Sequence, residues 1–321
     1  MERQQVEFTS DVGDERVDLF LTERLGRFSR SEIQRWAADE DVSVNGRPAK
    51  ANYRLKIGDV VRVWLPDDRA QTPQPWFLPL SVVYEDADCA VIDKPAGVVM
   101  HSVTSHQEHT LVNALLARYP DMAAMVRLAS EAGRRPGIVH RLDKDTSGLV
   151  LIARHTVAQQ ALQQQFRERA IEKAYLALVH GWPAPPEGTV VAPIGRDARN
   201  RQRMAVQPDG REAQTRYRTC RFLVPRTGPR SGSSREHYAL VEAEPLTGRT
   251  HQIRVHLAHI GHPVVGDRVY GERKRSLPCP RQFLHAHRLG FHRPGDGRWV
   301  VVESPLPADL EKVLSYLMDA A

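Results

Sequence analysis

The chain has little cysteine: Cys89, Cys220 and Cys279 are far apart and odd in number among 321 residues. No zinc-type spacing joins them, so neither a disulfide framework nor a structural zinc site is expected. Reduced thiols in a cytoplasmic protein are the simple reading. Aromatic residues make up 7% of the chain, fewer than a polysaccharide-binding surface would want. Nowhere do about 18 apolar residues run together, which argues against a membrane span. Met1 to Asp18 is charged and holds no apolar stretch of a secretory signal. A glycine-rich phosphate loop and a dinucleotide fingerprint are also missing.

What the chain does have is basic charge. Lys and Arg number 45 against 39 Asp and Glu, for a net charge of +6 and a pI near 9.4. Such a balance favours a polyanionic partner, because bound Lys and Arg displace phosphate counterions. Arginine predominates, and its planar fork suits phosphate and base edges better than a lysine point charge does. The length allows about two domains.

Residues 16–66 read as a small α/β module. Ser29-Arg-Ser-Glu32 has the form of a capping box, and Ile33, Trp36 and Ala37 follow at helical spacing. Val42-Ser-Val44 is a strand closed by the turn Asn45-Gly46, and Val60 to Leu65 alternates as another strand after Gly58-Asp59. Arg27, Arg30 and Arg35 cluster at the first helical turns, where charge and free backbone donors could hold phosphate. Residues 67–79, which with Pro66 contain four prolines, read as a stiff linker.

From residue 80 to 321 the pattern suggests a second, larger domain. Strands are expected at Ser81–Tyr84, Ala90–Ile92, Leu149–Ala153, Lys173–His180 and His237–Glu244, with turns at Lys94–Gly97 and Leu246–Gly248. Thr156-Val-Ala-Gln159 is a capping box for a helix bearing Ala158, Leu162 and Phe166. Thr250 is placed to cap a helix whose Ile253, Leu257 and Ile260 share a face, with Gly261 as its stop. Strands and helices do not alternate regularly. An α+β domain with a mixed, largely antiparallel sheet is therefore favoured over a doubly wound one. Pro225 to Glu236, rich in Gly, Ser, Pro and Arg, reads as a loop.

Chemistry concentrates at His140-Arg-Leu-Asp143, a polar turn just before a buried strand. A carboxylate there is well supported yet reachable by a ligand. Asp143 and Asp145 would point to opposite sides of an extended chain, which disfavours a paired-carboxylate site. By itself, an aspartate in such a turn commonly closes the loop through its own backbone. His101, His106 and His109 lack the other ligands of a metal site, and the pair His285 and His287 is equally unpersuasive. Arg196 to Arg203 carries four arginines, which suit phosphate contact.

Two resemblances change the weight of these residues. Arg16-Val-Asp-Leu-Phe-Leu21, Ser29-Arg-Ser-Glu-Ile-Gln-Arg35, Val42-Ser-Val-Asn-Gly46 and Ile57-Gly-Asp59 together resemble the S-four-type RNA-binding module. Gly137-Ile-Val-His-Arg-Leu-Asp-Lys-Asp-Thr-Ser-Gly-Leu149 resembles the signature of the RluA-type pseudouridine synthases. Further matches occur in the same order: Ile92-Asp-Lys-Pro-Ala-Gly97, Lys173-Ala-Tyr175, Gly248-Arg-Thr-His-Gln-Ile-Arg-Val-His256 and Gly261-His-Pro-Val-Val-Gly-Asp267. The likeness runs from about residue 80 to about 310. With the module ahead of it, the chain resembles the two-domain, RluD-like members acting on large-subunit ribosomal RNA.

The resemblance implies the pseudouridine synthase fold and isomerisation of specific uridines in structured RNA. Asp143 would be the catalytic carboxylate, as nucleophile at the ribose C1′ or as base at C2′. Arg141 would fill the space left by a flipped-out base, and His140 and Arg249 would lie against RNA. Arg249 could equally bind a loop carbonyl. Tyr175 would stack on the uracil and assist a late proton transfer at C5. Arg254 flanks the apolar stripe of its helix by about 100° and wants a carboxylate partner; the resemblance supplies Asp143. No cofactor or metal is expected, and the chain is expected to be a monomer. The competing readings are an RNA-binding assembly protein with a vestigial pocket, and a glycoside hydrolase, which would need a second carboxyl group.

Overall fold

The computed structural model describes residues 4–26, 28, 30–65, 73–101, 109–127, 135–198, 200, 203–226, 237–271 and 277–320. Expectations placed on Arg27, Ser29, His106, Arg199, Arg201, linker residues 67–72 and loop residues 227–236 lie outside these. The chain divides into two compact units. One holds the residues up to 74 together with 123–127 and 135; the other holds 75–101, 109–122 and the described residues from 136 onward.

In the first unit, strands β1 (Gln5–Thr9), β2 (Val42–Val44), β3 (Arg47–Pro48) and β4 (Val60–Trp64) form an antiparallel sheet in the order β1-β4-β2-β3. Alternation decides its register: Val61 and Val63 are buried while Arg62 and Trp64 face outward. Asn45 (φ 51°) and Gly46 (φ 78°) make the tight β2–β3 turn, where positive φ suits both residue types. Strand β1 extends the module beyond the expected start at residue 16. Its five residues include charged Glu7, and only Val6 and Phe8 pack on the core, so its pattern is weak on its own.

Helices α1 (Val17–Leu25) and α2 (Arg30–Ala38) are joined by the fully buried Asp18. It accepts from Arg16 Nε (2.9 Å), Arg30 Nε (3.0 Å) and Gln34 (2.7 Å). Burial opposes the charge, yet these three donors outweigh it and hold the carboxyl down at about 2. Arg30 Nε thus serves the helix pair, while its side chain remains 46% exposed. Arg35 is exposed as well.

The second unit is built on a ten-stranded sheet. In chain order its strands are β5 (Ser81–Glu85), β6 (Cys89–Lys94), β7 (Ser147–Ala153), β8 (Glu172–His180), β9 (Glu187–Val191), β12 (Gln214–Pro225), β13 (Tyr238–Pro245), β14 (Leu284–His292), β15 (Trp299–Glu303) and β16 (Leu317–Asp319). The short pair β10 (Ile194–Arg196) and β11 (Met204–Val206) stands apart. The main order is β16-β12-β13-β8-β14-β7-β6-β5, with β15 beside β14 and β9 beside β12. Every pairing is antiparallel except β14 with β7, so the sheet is mixed and largely antiparallel.

Strand β7 is buried along its whole length, as its unbroken apolar run requires. Helix Thr156–Glu168 covers it, Ala158 and Leu162 packing on Leu149, Leu151 and Ala153. Two cap expectations need correction. The N-cap is His155, whose Nδ1 accepts from the Ala158 amide, and Thr156 is already in the first turn. Gln159 instead donates to the Ile138 carbonyl. The helix expected after Thr250 runs Gln252–His259 with His251 as its N-cap in a left-handed conformation. Here the Gln252 side-chain oxygen takes the Arg249 amide, so the turn is organised from inside the helix. That helix is buried on more than one face. Trp76, expected in the linker, belongs to this unit, its amide donating to the Asn113 carbonyl at 3.0 Å.

Candidate active site

The turn carrying Asp143 is clamped from three directions. Lys94, fully buried at the end of β6, donates to the carbonyls of Pro95 (2.9 Å), Val98 (3.0 Å) and Lys144 (3.1 Å). Arg281 donates to the Asp145 carbonyl and the Ser147 hydroxyl and is itself paired with Asp309. Gln282 reaches Thr146. Gly148 then admits the chain into the sheet: at its φ of 111° a Cβ would sit 2.3 Å from the Ala286 carbonyl oxygen of β14. Asp143 thus projects from a fixed turn, while Asp145 is exposed and held through its backbone.

Arg254 donates through Nη1 to Asp143 Oδ2 at 2.8 Å. Its Nε and Nη2 bind Asp267 at 2.6 and 2.9 Å. The Asp267 side chain is fully buried and Arg254 is 6% exposed, whereas Asp143 keeps 18%. Burial works against the charge on Arg254, but the two carboxylates outweigh it and raise its pKa. Asp267 responds in kind: burial pushes its carboxyl up, and the Arg254 bonds bring it below its usual value.

Tyr175 on β8 is buried beside this pair. Burial, followed by the charge of Asp143, pushes its phenol well above the ordinary value, so it stays protonated at neutral pH. His251 stands 3.9 Å from Asp143 Oδ1 through Nε2, and its Nδ1 lies 2.9 Å from the Tyr270 hydroxyl. That hydroxyl also accepts from the Met204 amide. Tyr270 also lies under the Arg254 guanidinium, 5.1 Å from ring centre to carbon.

Asp143, Tyr175, His251 and Arg254 line a cleft of about 1030 Å³ that also takes in His140, Arg141, Lys173 and Arg249. Arg141 is exposed there. Arg249 donates through Nε to the Glu212 carbonyl at 2.9 Å, the loop contact foreseen as one of its two uses. His140 is partly buried; its Nε2 accepts from the Leu151 amide at 2.8 Å, and its ring stacks on Phe166. Burial, helped by Lys173, lowers it to about 3, so it is a neutral acceptor and that nitrogen is not open to RNA.

Asp143, Tyr175 and Arg254 converge as the sequence suggested, with Arg141 on the same cleft. Lys94, His251, Asp267, Tyr270 and Arg281 were missed as site residues. Lys94, His251 and Asp267 lie inside the quoted motif blocks, but nothing in their spacing says which groups they touch.

The family model described as RNA pseudouridylate synthase matches residues 88–259, and the S4 domain model matches residues 15–61. A relative from Chloroflexus aurantiacus, named uncharacterized RNA pseudouridine synthase, is 49% identical over 316 residues, covering 96% of this chain and 91% of its own. The ribosomal large subunit pseudouridine synthase D of Xanthomonas campestris pv. campestris is 40% identical over 317 residues, covering 95% and 89%. Among solved structures, human RNA pseudouridylate synthase domain containing 1 is similar with a TM-score of 0.55 and 30% identity, covering 71% of this chain and 84% of that one.

Proposed function

The chain belongs to the RNA pseudouridylate synthase family, and from that premise we propose that it isomerises specific uridines of large-subunit ribosomal RNA, with Asp143 as the nucleophile. The observation that carries the reading is the Asp143–Arg254 pair, 2.8 Å across, at the wall of a basic cleft beside a buried, protonated Tyr175. The protein is an RNA pseudouridine synthase, an isomerase.

In the proposed reaction the uridine leaves its stack and enters the cleft, and Arg141 fills the space it vacates. The Asp143 carboxylate attacks the ribose C1′, and the bond from C1′ to uracil N1 breaks. The uracil turns over and C5 takes the place of N1 on C1′, releasing Asp143. The proton on C5 is then lost and N1 gains one, so the sequence balances without redox chemistry or an energy source. Tyr175 supports the turned base with its ring, and its hydroxyl relays the final transfer, taking the C5 proton as its own passes on towards N1.

The glycosidase reading finds no support. Of the other carboxylates lining the cleft, Glu172 and Glu244 are paired with Arg288 and Arg216. Asp267 is sealed behind Arg254 and cannot reach a leaving group. The large-subunit substrate rests on the name of the Xanthomonas relative, and the S4 domain supports RNA binding by the N-terminal unit, with exposed Arg35 as a phosphate contact.

Asp143→Asn tests the mechanism. Tritium release from ribosomal RNA labelled at uridine C5 should stop while RNA affinity is kept. Continued release in that variant would sink the assignment. Mapping pseudouridine in ribosomal RNA from a deletion strain identifies the target positions.

A further inference from the structure

The cleft wall formed by the end of helix Thr156–Glu168 and the start of β8 carries positive charge that no carboxylate answers among the described residues. Lys173 and Tyr175 are two apart on the strand, so both side chains point to the same side and line the cleft together. The Lys173 ammonium lies 5.4 Å from the centre of the Phe166 ring, and among the described residues no oxygen is hydrogen-bonded to it. Burial alone brings it down to about 8, whereas a carboxylate within reach would act the other way. Its neighbour Glu172 is turned to Arg288, 3.0 Å away.

Arg169 ends the helix in a left-handed conformation, φ 59° and ψ 29°. Glycine is the usual occupant of such a cap; an arginine is held there against a steric cost. Its side chain also lines the cleft. Its charge reaches Arg249, which burial, then Arg211 and Arg169, pull below the ordinary arginine value, with Glu212 opposing. Arg249 uses Nε on the Glu212 carbonyl and retains its terminal nitrogens for a ligand. The negative end of a helix favours basic residues, which would account for Arg169. It does not account for Lys173, four residues on and in the strand.

We propose that Arg169, Lys173 and Arg249 form a phosphate subsite for a nucleotide flanking the uridine that reaches Asp143. The subsite deepens the isomerase reading by extending the bound RNA along the helix–strand wall. A phosphodiester would supply the anion that Arg169 and Lys173 lack and would occupy the terminal nitrogens of Arg249, and removing each contact should release one fewer counterion on binding.

The test uses the full chain and a fluorescein-labelled transcript of large-subunit ribosomal RNA, titrated at salt concentrations between about 50 and 200 mM. Arg169→Gly and Lys173→Met should each weaken binding several-fold and reduce the slope of log affinity against log salt by about one. Lys173→Arg should restore the slope. Arg169→Gly should also melt no lower than the unaltered protein, because glycine relieves the left-handed cap. Unchanged slopes in both variants would overturn the subsite, as would an affinity loss in Arg169→Gly accompanied by a lower melting temperature. Turnover is read separately: failure of the isomerase reading appears as absent tritium release in the unaltered protein, and failure of the subsite as unchanged binding.

Discussion

Arg254 meets Asp267 through two nitrogens and keeps only Nη1, at 2.8 Å, for Asp143. The two-point contact fixes the plane of the guanidinium, and with it the direction in which Asp143 is held. Asp267 is in turn anchored by the amides of Val269 and Tyr270.

Arg254→Gln should therefore strand a fully buried carboxylate and cost about 3–5 kcal/mol of stability, along with turnover. Adding Asp267→Asn to that variant should recover much of the stability and none of the activity. Urea unfolding and tritium release would read the two effects. A double variant that regains turnover would show that the pair does not hold Asp143 for catalysis.

Lys94 ties the Asp143 turn to the end of β6 by three carbonyl contacts. Burial is the main reason its amine is lowered to about 7, the repulsion of Arg281 adding to it. Lys94→Ala should leave those carbonyls unpaired around a cavity and cost about 3 kcal/mol. The Lys144 carbonyl, one residue from Asp143, should shift, and kcat should fall even in protein that remains folded. Normal kcat in the folded fraction would refute the clamp.

His140 makes stability depend on acid. It is lowered to about 3 in the folded chain, against an ordinary value of 6.5. Between these values the unfolded chain takes up a proton that the folded chain refuses. This contribution to stability is therefore present above pH 6.5 and is lost progressively as pH falls towards 3. Between pH 7 and 5 the loss should be on the order of 1–2 kcal/mol. His140→Asn, which cannot titrate, should show a smaller loss over the same interval. Parallel curves for the two proteins in urea unfolding would contradict this.

Gly148→Ala combines an unfavourable φ of 111° with a Cβ 2.3 Å from the Ala286 carbonyl oxygen. Because the clash is with backbone in a sheet, the neighbour cannot turn aside. A loss above about 3 kcal/mol is expected, read as a large drop in melting temperature. A normal melting curve would show that β7 and β14 can separate without cost.

Local pattern was enough for much of this protein. The alternation of Val60 to Leu65, the unbroken run Leu149 to Ala153 and the turn Asn45-Gly46 each reflect interactions between residues a few positions apart, and each appears in the fold. The ordered motif blocks likewise marked Asp143, Tyr175 and Arg254. Contacts set by the tertiary structure were not legible. Asp18 and Asp267 are ordinary acidic residues in the sequence; only folding buries them and surrounds each with donors. The Asp18 partner of Arg30 was not foreseen, and His140 looked open to RNA until Leu151 came within 2.8 Å. The cap of helix Thr156–Glu168 moved to His155, whose ring can also reach Asp88. Asp143 and Arg254 are 111 residues apart. Periodicity reports which face of its own element a side chain takes, whereas the partner on that face is chosen by how distant elements pack.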